Sequence, residues 1–295
     1  MKNPIILNFD QSVNPIENAL ILNLMQWQDD IRFGCSMRQL NRLKDYLNAT
    51  LPQNHGTVFL GSGDYHHISL LLIERLINNL KSKKSIQVII FDNHPDNMRY
   101  LFGIHCGSWV SHLTRLPFVS HVHVVGITSS DVSWSKLWEN KWLPLIKGKL
   151  TYWGVGSDMS WANVIGLGDA FRYFTTPDDL ITSFLSEQYG NNEPVYLSID
   201  KDVLSPDVAK TNWDQGQFAI YHILDTITAL DKRIIGSDVT GDISLWRSKQ
   251  WLKRCLSSLD NQPTIESNHL TELQIQHQKI NTILLNQLNN AQLSW

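Results

Sequence analysis

The chain of 295 residues has few cysteines, no long apolar run and no excess of charge of either sign. Its three cysteines, Cys35, Cys106 and Cys255, are odd in number and widely spaced, which argues against a disulfide framework or a cysteine-based zinc site and favours a reducing, cytoplasmic compartment. No stretch reaches the ~18 apolar residues of a membrane-spanning helix, and we expect no signal peptide in the opening segment. A formal net charge of -3 gives no overall basic surface for nucleic acid.

The sequence does have enough apolar residues for a sizeable core, since 42% of it is hydrophobic. Short β-rich runs alternate with amphipathic stretches, a pattern typical of an α/β protein with a mostly parallel sheet. Several runs are continuously apolar, as in strands that are buried on both faces. The predicted strands are 5–9, 57–60, 86–91, 121–125, 150–153, 195–199 and 233–236, and the predicted helices are 68–80, 177–187, 218–230 and 270–293.

The domain organisation predicted from the sequence is one domain followed by a helical tail. No linker rich in Pro or Ser interrupts residues 1–250, and no internal repeat is present. After Asn261 the composition shifts to Gln, Asn, Leu and Ile. We therefore expect a single domain over residues 1–260. The tail over residues 261–295, whose long helix ends near Trp295, is expected to dock on that domain or to offer a partner surface.

The strongest chemical signal comes directly after the apolar run 86–91. Asp92, His94 and Asp96 alternate there, and residues two apart in an extended segment face the same way. Open α/β sheets place their ligand sites at the C-terminal ends of parallel strands. The three side chains are therefore expected to converge on one point at that edge of the sheet.

A second pair of carboxylates has the same placement. Asp200 and Asp202 follow the run 195–199, and Lys201 between them points to the other face. Four carboxylates at the rim of an apolar sheet repel one another, and each is costly to desolvate unless it is paired. Two divalent cations would cancel the four charges. A carboxylate-rich set with one or two imidazoles suits Mn²⁺ better than Zn²⁺.

A third segment, 61–69, contains the adjacent histidines His66 and His67. It follows one predicted strand and opens a predicted helix, so that it also lies at the C-terminal edge of the sheet. Its glycines permit a tight turn, and a histidine at the mouth of the helix can reach a metal. One histidine is expected to be a ligand and the other a helix cap or a core contact.

These segments, in this order, resemble the motifs of the arginase (ureohydrolase) family. That family carries G-G-D-H-S, then D-x-H-x-D, then S-x-D-x-D, and the matching residues here lie within 63–66, 92–96 and 198–202. The resemblance spans roughly residues 55–245. It implies an arginase-like fold, a three-layer αβα architecture with a mostly parallel central sheet, and two bound Mn²⁺ ions. The six ligands that it implies are His66, Asp92, His94, Asp96, Asp200 and Asp202. Tyr65 is inserted relative to the family motif, which makes His67 the alternative to His66.

The resemblance also implies a proton-transfer residue and a carboxylate that binds the guanidinium. The family's His-Gly segment is best matched by 103–107, where Cys106 separates His105 from Gly107, and His105 is then the proton shuttle. The family has a Glu after its last strand, whereas the segment 234–242 has none. Asp242, which is nearer the family position, or Asp238 is expected to take its place.

The loop 204–216 departs from the Gly- and Thr-rich loop of the family. Its T-N-W-D-Q-G stretch, with D-N-H-P-D-N and G-S-G-D-Y-H-H, is most similar to the peptide arginases, which convert Arg to ornithine in ribosomally made peptides. This resemblance implies release of urea from an Arg-containing precursor peptide, with substrate contacts from His67, Thr211, Asn212, Trp213 and Asp214. The alternatives are a ureohydrolase of a small molecule, such as agmatine, arginine or a formimino compound, and a non-catalytic binding protein on the same scaffold. Arginase relatives often form trimers or hexamers, so a homo-oligomer is a further prediction.

Overall fold

A parallel sheet of nine strands organises the fold, within the residues that the computed structural model describes: 2–80, 84–156, 159–246, 253 and 269–292. The strands are β1 (Ile5–Asn8), β2 (Leu20–Asn23), β3 (Gly34–Cys35), β4 (Val58–Gly61), β5 (Ile86–Phe91), β6 (Ile104–His105), β7 (Val119–Ile127), β8 (Leu150–Val155), β9 (Phe171–Phe174), β10 (Val195–Asp200) and β11 (Ile234–Thr240). The sheet order is β2-β1-β4-β11-β10-β5-β7-β8-β9, and all neighbours are parallel. The short strands β3 and β6 form a separate antiparallel pair.

Helices cover both faces of this sheet. They are α1 (Gln28–Ile31), α2 (Met37–Thr50), α3 (Ser69–Asn79), α4 (Val110–Leu113), α5 (Leu143–Ile146), α6 (Trp161–Val164), α7 (Pro177–Gln188), α8 (Ile220–Ala229) and α9 (Leu270–Ala291). One apolar core lies between the sheet and α2, α3 and α4, with Leu43 and Leu72 among its residues. The other lies against α7, α8 and α9 and includes Phe184 and Ile223. The predicted three-layer αβα architecture is confirmed.

The central strands are buried on both faces, which explains why their apolar runs are continuous. In β5, Val88 and Ile90 belong to one core, whereas Ile89 and Phe91 belong to the other. Every residue of β5 and of β10 is buried. Polar residues that follow these strands therefore emerge abruptly at the edge of an apolar sheet.

All seven predicted strands are present, although β7 and β11 are longer than predicted. The predicted helices correspond to α3, α7, α8 and α9. Strands β2, β3, β6 and β9 were not predicted. The apolar run Leu20–Leu22 of β2 is short and its side chains at the edge of the sheet are mostly exposed, β9 is exposed in part, and β3 and β6 have only two residues each.

The tail helix α9 packs on α8 through one apolar face. Ile280, Leu284 and Leu288 of α9 are buried in the same core as Ile223 and Ile227 of α8. The predicted boundary at residues 260–261 lies outside the described residues, whereas α9 ends at Ala291, before the predicted helix end at residue 293. Among the helices described, α9 included, none has the length and apolarity that crossing a bilayer requires.

The sheet order brings the strands that carry the three motifs together. Strands β4, β11, β10 and β5 are consecutive neighbours. Ile199 of β10 pairs with Phe91 of β5, so that Asp200 and Asp92, the residues after them, leave the sheet side by side. Because all these strands are parallel, the polar segments that follow them share one edge.

Candidate metal centre

The acidic and histidine side chains predicted as metal ligands converge at this edge. Two groups have ligand atoms that all lie within 4.8 Å of one another: His66, Asp92 and Asp96, and Asp92, His94 and Asp202. Asp92 belongs to both groups. Asp200 adjoins the first group, since its Oδ2 lies 3.5 Å from His66 Nδ1. The structure thus brings together all six of the predicted ligands.

Turns in the backbone, and not only extended segments, position these carboxylates. Asp96 has a φ of 46°, in the left-handed region, so the segment after β5 is not extended to its end as the alternation suggested. Asp202 lies in the 3-10 helix Lys201–Val203, and its N–H donates to Asp200 Oδ1 at 3.1 Å. The other oxygen of Asp200 is thereby left to face His66.

His66, and not His67, faces the cluster. Its Nδ1 lies 3.0 Å from Asp92 Oδ2 and 3.2 Å from Asp96 Oδ2, yet within the described part of the chain it makes no hydrogen bond of good geometry. Its Nε2 lies 3.0 Å from Ser198 Oγ, which donates its own hydrogen to Asp238 at 2.7 Å. With the Ser198 hydrogen donated to Asp238, Nε2 is the donor to Ser198, and once Nδ1 has lost its proton its lone pair is available to a cation.

His94 lies between a predicted ligand and a carboxylate of the loop 204–216. Its Nδ1 is 2.9 Å from Asp202 Oδ2, and its Nε2 is 2.7 Å from Asp214 Oδ1. Asn93 holds Asp214 by donating from Nδ2 to its backbone and side-chain oxygens, at 3.1 and 3.3 Å. A carboxylate on the outer nitrogen fixes the orientation of a ligating histidine. Asp214, predicted at the substrate entrance, thus also orients His94.

Replacing Asp214 with alanine is expected to lower the affinity for Mn²⁺ about 10–100-fold, because His94 loses the partner that orients it. Calorimetric titration of the purified protein measures this change. Asp214→Asn keeps an acceptor oxygen and should recover much of the loss. Asp207→Ala, in an exposed position of the same loop, is the matched control. Equal affinity in Asp214→Ala and the wild type would rule out this role for Asp214.

Without a cation, the cluster holds more protons than isolated side chains would. Burial raises the pKa of Asp96 to about 7 and that of Asp202 to about 6, and the charge of Asp92 adds to both shifts. Burial opposes the charged forms of His66 and His94. The surrounding carboxylates outweigh it and raise the pKa of both rings well above the usual value.

Binding of Mn²⁺ is therefore expected to release protons and to strengthen as the pH rises through about 6 to 7, because ligands must be deprotonated. The sign follows from the raised pKa values, since the proton that competes with the cation is lost above them. Calorimetry in two buffers of different ionisation enthalpy counts the protons released. An affinity that is flat between about pH 6 and pH 8, with no proton release, would contradict this account.

A cavity of about 580 Å³ lies over the cluster, within the size range of small-ligand sites. Nine predicted site residues line it: His66, Asp92, His94, Asp96, His105, Asp200, Asp202, Trp213 and Asp214. The other lining residues are Phe33, Gly63, Pro95, Met98, Tyr100, Cys106, Gly107, Ser129, Ser130, Asp131, Lys136 and Glu139.

His105 presents a neutral imidazole to this cavity. Its ring packs edge-on to Tyr100, with centroids 4.2 Å apart, and lies 6.0 Å from the ring of Phe33. Burial lowers the pKa of His105 to about 4, with a further contribution from Lys141. Its buried Nδ1 has no hydrogen-bond partner among the described residues.

Neither candidate for the guanidinium carboxylate reaches the cavity. Asp242 is buried under α9, where its Oδ1 lies 2.6 Å from Lys201 Nζ and accepts from Asn281 at 2.9 Å. The turn at Gly241, with a φ of 85°, precedes it, and the Asp242 N–H donates to Gly61 O. Asp238 lies inside the longer strand β11. Its carboxylate accepts hydrogen bonds from the hydroxyls of Ser69, Tyr196 and Ser198.

Three other predicted substrate residues also lie away from the cavity. Thr211 Oγ1 donates to the Trp213 backbone, and Asn212 exchanges two hydrogen bonds with the Ser244 backbone. These contacts hold the loop so that Trp213 and Asp214 face the cavity. His67 is completely buried and is not among the lining residues.

Several residues that support the cluster were not among the predicted site residues. Trp109 Nε1 donates to Asp96 Oδ2 at 2.7 Å, and its ring lies 4.8 Å from that of His66. Arg32 is buried and bonds Asp64 Oδ2 at 2.6 Å and Asp10 Oδ2 at 3.2 Å. Of these residues, only Asn93 lies inside the D-N-H-P-D motif, so only its position in the sequence could have indicated a role at this site.

The chain has a distant relative among known proteins. No protein-family model matches the sequence. An uncharacterised protein from Thermotoga maritima is 25% identical over 213 residues, which cover 71% of this chain and 68% of that protein.

Three solved structures have a similar overall shape. Proclavaminate amidino hydrolase from Streptomyces clavuligerus is 15% identical, with a TM-score of 0.57 over 98% of this chain and 93% of its own. Formimidoylglutamase from Bacillus subtilis is 13% identical, with a TM-score of 0.55 over 98% and 88% of the two chains. A hypothetical agmatinase from Burkholderia thailandensis is 14% identical, with a TM-score of 0.53 over 97% and 85%. The predicted arginase-like fold is confirmed.

Proposed function

We propose that the protein is a hydrolase of guanidino groups that works with two Mn²⁺ ions. The observation that carries the proposal is the pair of ligand groups sharing Asp92, at the base of a cavity at the C-terminal edge of the sheet. The three solved structures of the same fold are named for an amidino hydrolase, a formimidoylglutamase and an agmatinase. Those names favour the same class of C–N bond hydrolysis here.

The donor set fits two divalent cations of the Mn²⁺ type. His66, Asp92 and Asp96, with Asp200 beside them, would hold one, and Asp92, His94 and Asp202 the other. Oxygen donors with one imidazole per group match Mn²⁺ better than the N- and S-rich sets of Zn²⁺. When bound, such a pair of cations lowers the pKa of water towards neutrality and stabilises developing negative charge.

The protein's own groups bind the substrate and move protons. The Trp213 ring is stacked parallel to Phe33, with centroids 6.3 Å apart, and forms a flat wall beside His94 on which a guanidinium can lie. His105 takes up a proton released by the attacking water and passes it to the leaving amine. Because its pKa of about 4 lies below neutrality, the ring enters the reaction neutral and holds that proton only transiently.

The charges of the outer cavity favour a substrate that has no free carboxylate. Beyond the cation ligands, the described lining contains three carboxylates, those of Asp131, Glu139 and Asp214. Lys136 is the only Lys or Arg among the described lining residues, and its Nζ is paired with Asp131 Oδ1 at 2.7 Å. An arginine side chain within a peptide suits this acidic mouth. A small guanidino amine such as agmatine fits the same charges and is the second candidate.

Urea release tests the reaction. The Mn²⁺-loaded protein is incubated with agmatine, free arginine, N-acetylarginine amide and Arg-containing peptides, and with a formimino compound, for which the product measured is formamide. We expect urea from the carboxylate-free guanidino compounds, an ornithine side chain by mass spectrometry in the peptides, and slower release from free arginine. No urea from any guanidino substrate would refute the proposal.

A further inference from the structure

Four large apolar side chains are exposed on two neighbouring segments of the chain. Leu101 is 91% exposed, Phe102 60%, Trp134 65% and Trp138 69%. We call these residues the apolar rim. Groups of exposed aromatic residues next to a polar cavity are typical of sites that bind another molecule.

The apolar rim borders the cavity, because each of its residues lies one or two positions from a residue that lines it. Met98 and Tyr100 line the cavity from the segment that carries Leu101 and Phe102, and Lys136 and Glu139 line it from the other. The two segments are joined by the bridge between Met98 and Asn140 and by a 2.7 Å hydrogen bond from Arg99 N to Glu139 O. The Tyr100 and Phe102 rings lie edge to face, 5.8 Å apart.

The charge of the cavity indicates what covers this rim. The acidic mouth attracts a cationic group, whereas the surface just outside it is apolar. A small guanidino compound would be enclosed by the cavity and would not extend to the rim. A peptide whose arginine enters the cavity must continue across the mouth in both chain directions, and its neighbouring side chains then meet the rim.

We propose that the apolar rim docks the residues beside the target arginine of a peptide substrate, and that it favours aromatic or aliphatic side chains there. The proposal rests on the proposed guanidino hydrolase function and names the class of substrate. Aromatic side chains bury a large area at a small cost in conformational entropy, which suits the recognition of varied apolar neighbours.

Two capped peptides with one arginine each test the preference in the unaltered protein. One has Phe and Leu beside the arginine, the other has Ser on both sides, and agmatine is the third substrate. We expect a KM about tenfold lower for the apolar peptide, with similar kcat, as one well-buried aromatic contact would give. Equal KM values for the two peptides would overturn the proposal.

Variants of the apolar rim test whether its side chains cause the lower KM of the apolar peptide. Phe102→Ser and Trp138→Ser should each raise the KM of the apolar peptide several-fold and leave agmatine hydrolysis unchanged. Tyr189→Ser, at the C-terminal end of α7 and 93% exposed, is the matched control. Unchanged peptide KM in both rim variants would contradict the proposal. A shift from oligomer to monomer in native mass spectrometry would also contradict it, by assigning the rim to a second copy of the chain. Loss of agmatine hydrolysis in the rim variants would contradict it too, whereas no urea from agmatine in the unaltered protein would count against the hydrolase function instead.

Discussion

Replacing Asp92 with asparagine is expected to remove both cation sites together and to lower the rate of urea release at least about a thousandfold. Among the described residues, Asp92 alone belongs to both ligand groups. Its Oδ2 faces His66 Nδ1 at 3.0 Å, and its Oδ1 accepts from the His94 backbone N–H at 2.6 Å. Metal ions supply several kcal/mol of transition-state stabilisation, and each 1.4 kcal/mol is about tenfold in rate.

The Asp92→Asn variant keeps the size of the side chain, so that lost charge is separated from lost packing. Metal analysis of the purified variant should find little bound Mn²⁺, and the urea assay should find little activity. Asp225→Asn, an exposed position on α8, is the matched control and should behave as the wild type. If Asp92→Asn retained two Mn²⁺ per chain, the shared-ligand arrangement would be wrong.

Replacing Asp242 with alanine is expected to cost about 3–5 kcal/mol of the free energy of unfolding, because it leaves the Lys201 ammonium buried without its counter-ion. Lys201 is completely buried and Asp242 is 1% exposed. Lys201 Nζ lies 2.6 Å from Asp242 Oδ1 and donates to Asn281 Oδ1 at 2.8 Å. Burial lowers the pKa of Lys201, and Asp242 opposes that shift.

Chemical denaturation of the variants measures this energy. The double variant Lys201→Met with Asp242→Leu should regain most of the stability, since replacing a whole buried pair by apolar side chains is often neutral. A loss of less than about 1 kcal/mol in Asp242→Ala would mean that the lysine finds water or another partner. Because Lys201 lies between Asp200 and Asp202, we also expect weaker Mn²⁺ binding in that single variant.

The edge of the sheet at which the site lies can be predicted from the sequence, because the site motifs directly follow buried parallel strands. Asp92 and Asp200 follow continuous apolar runs, and parallel strands end at one edge whatever their pairing. The choice between His66 and His67 needs the structure. It depends on Ser198, more than 130 positions away, which takes the Nε2 hydrogen of His66.

For a related reason, the sequence could not predict that the side chain of Asp242 points away from the cavity. Its partners Lys201 and Asn281 come from β10's end and from α9, so that the contact joins segments far apart in the chain. Helix α2, by contrast, could have been predicted, because the sequence contains a pattern that marks its start. Ser36 and Gln39 form a capping box of the S-x-x-Q type, which marks a helix start in the sequence itself.

The loop 204–216 shows the limit of reasoning from residue types. Thr211, Asn212, Trp213 and Asp214 are all polar or aromatic and equally suited to a substrate entrance. Only the hydrogen bonds of Thr211 to Trp213 O and of Asn212 to Ser244 decide which pair turns inward. Tertiary contacts of this kind leave no periodic pattern in the sequence.

The central claim is that two cations share Asp92 at the base of the cavity. Anomalous diffraction from crystals grown with Mn²⁺, recorded at the manganese edge, tests it most directly. Two peaks are expected, one within ligand distance of His66 Nδ1 and the other of His94 Nδ1, with Asp92 touching both. A single peak, or peaks away from Asp92, would contradict the account.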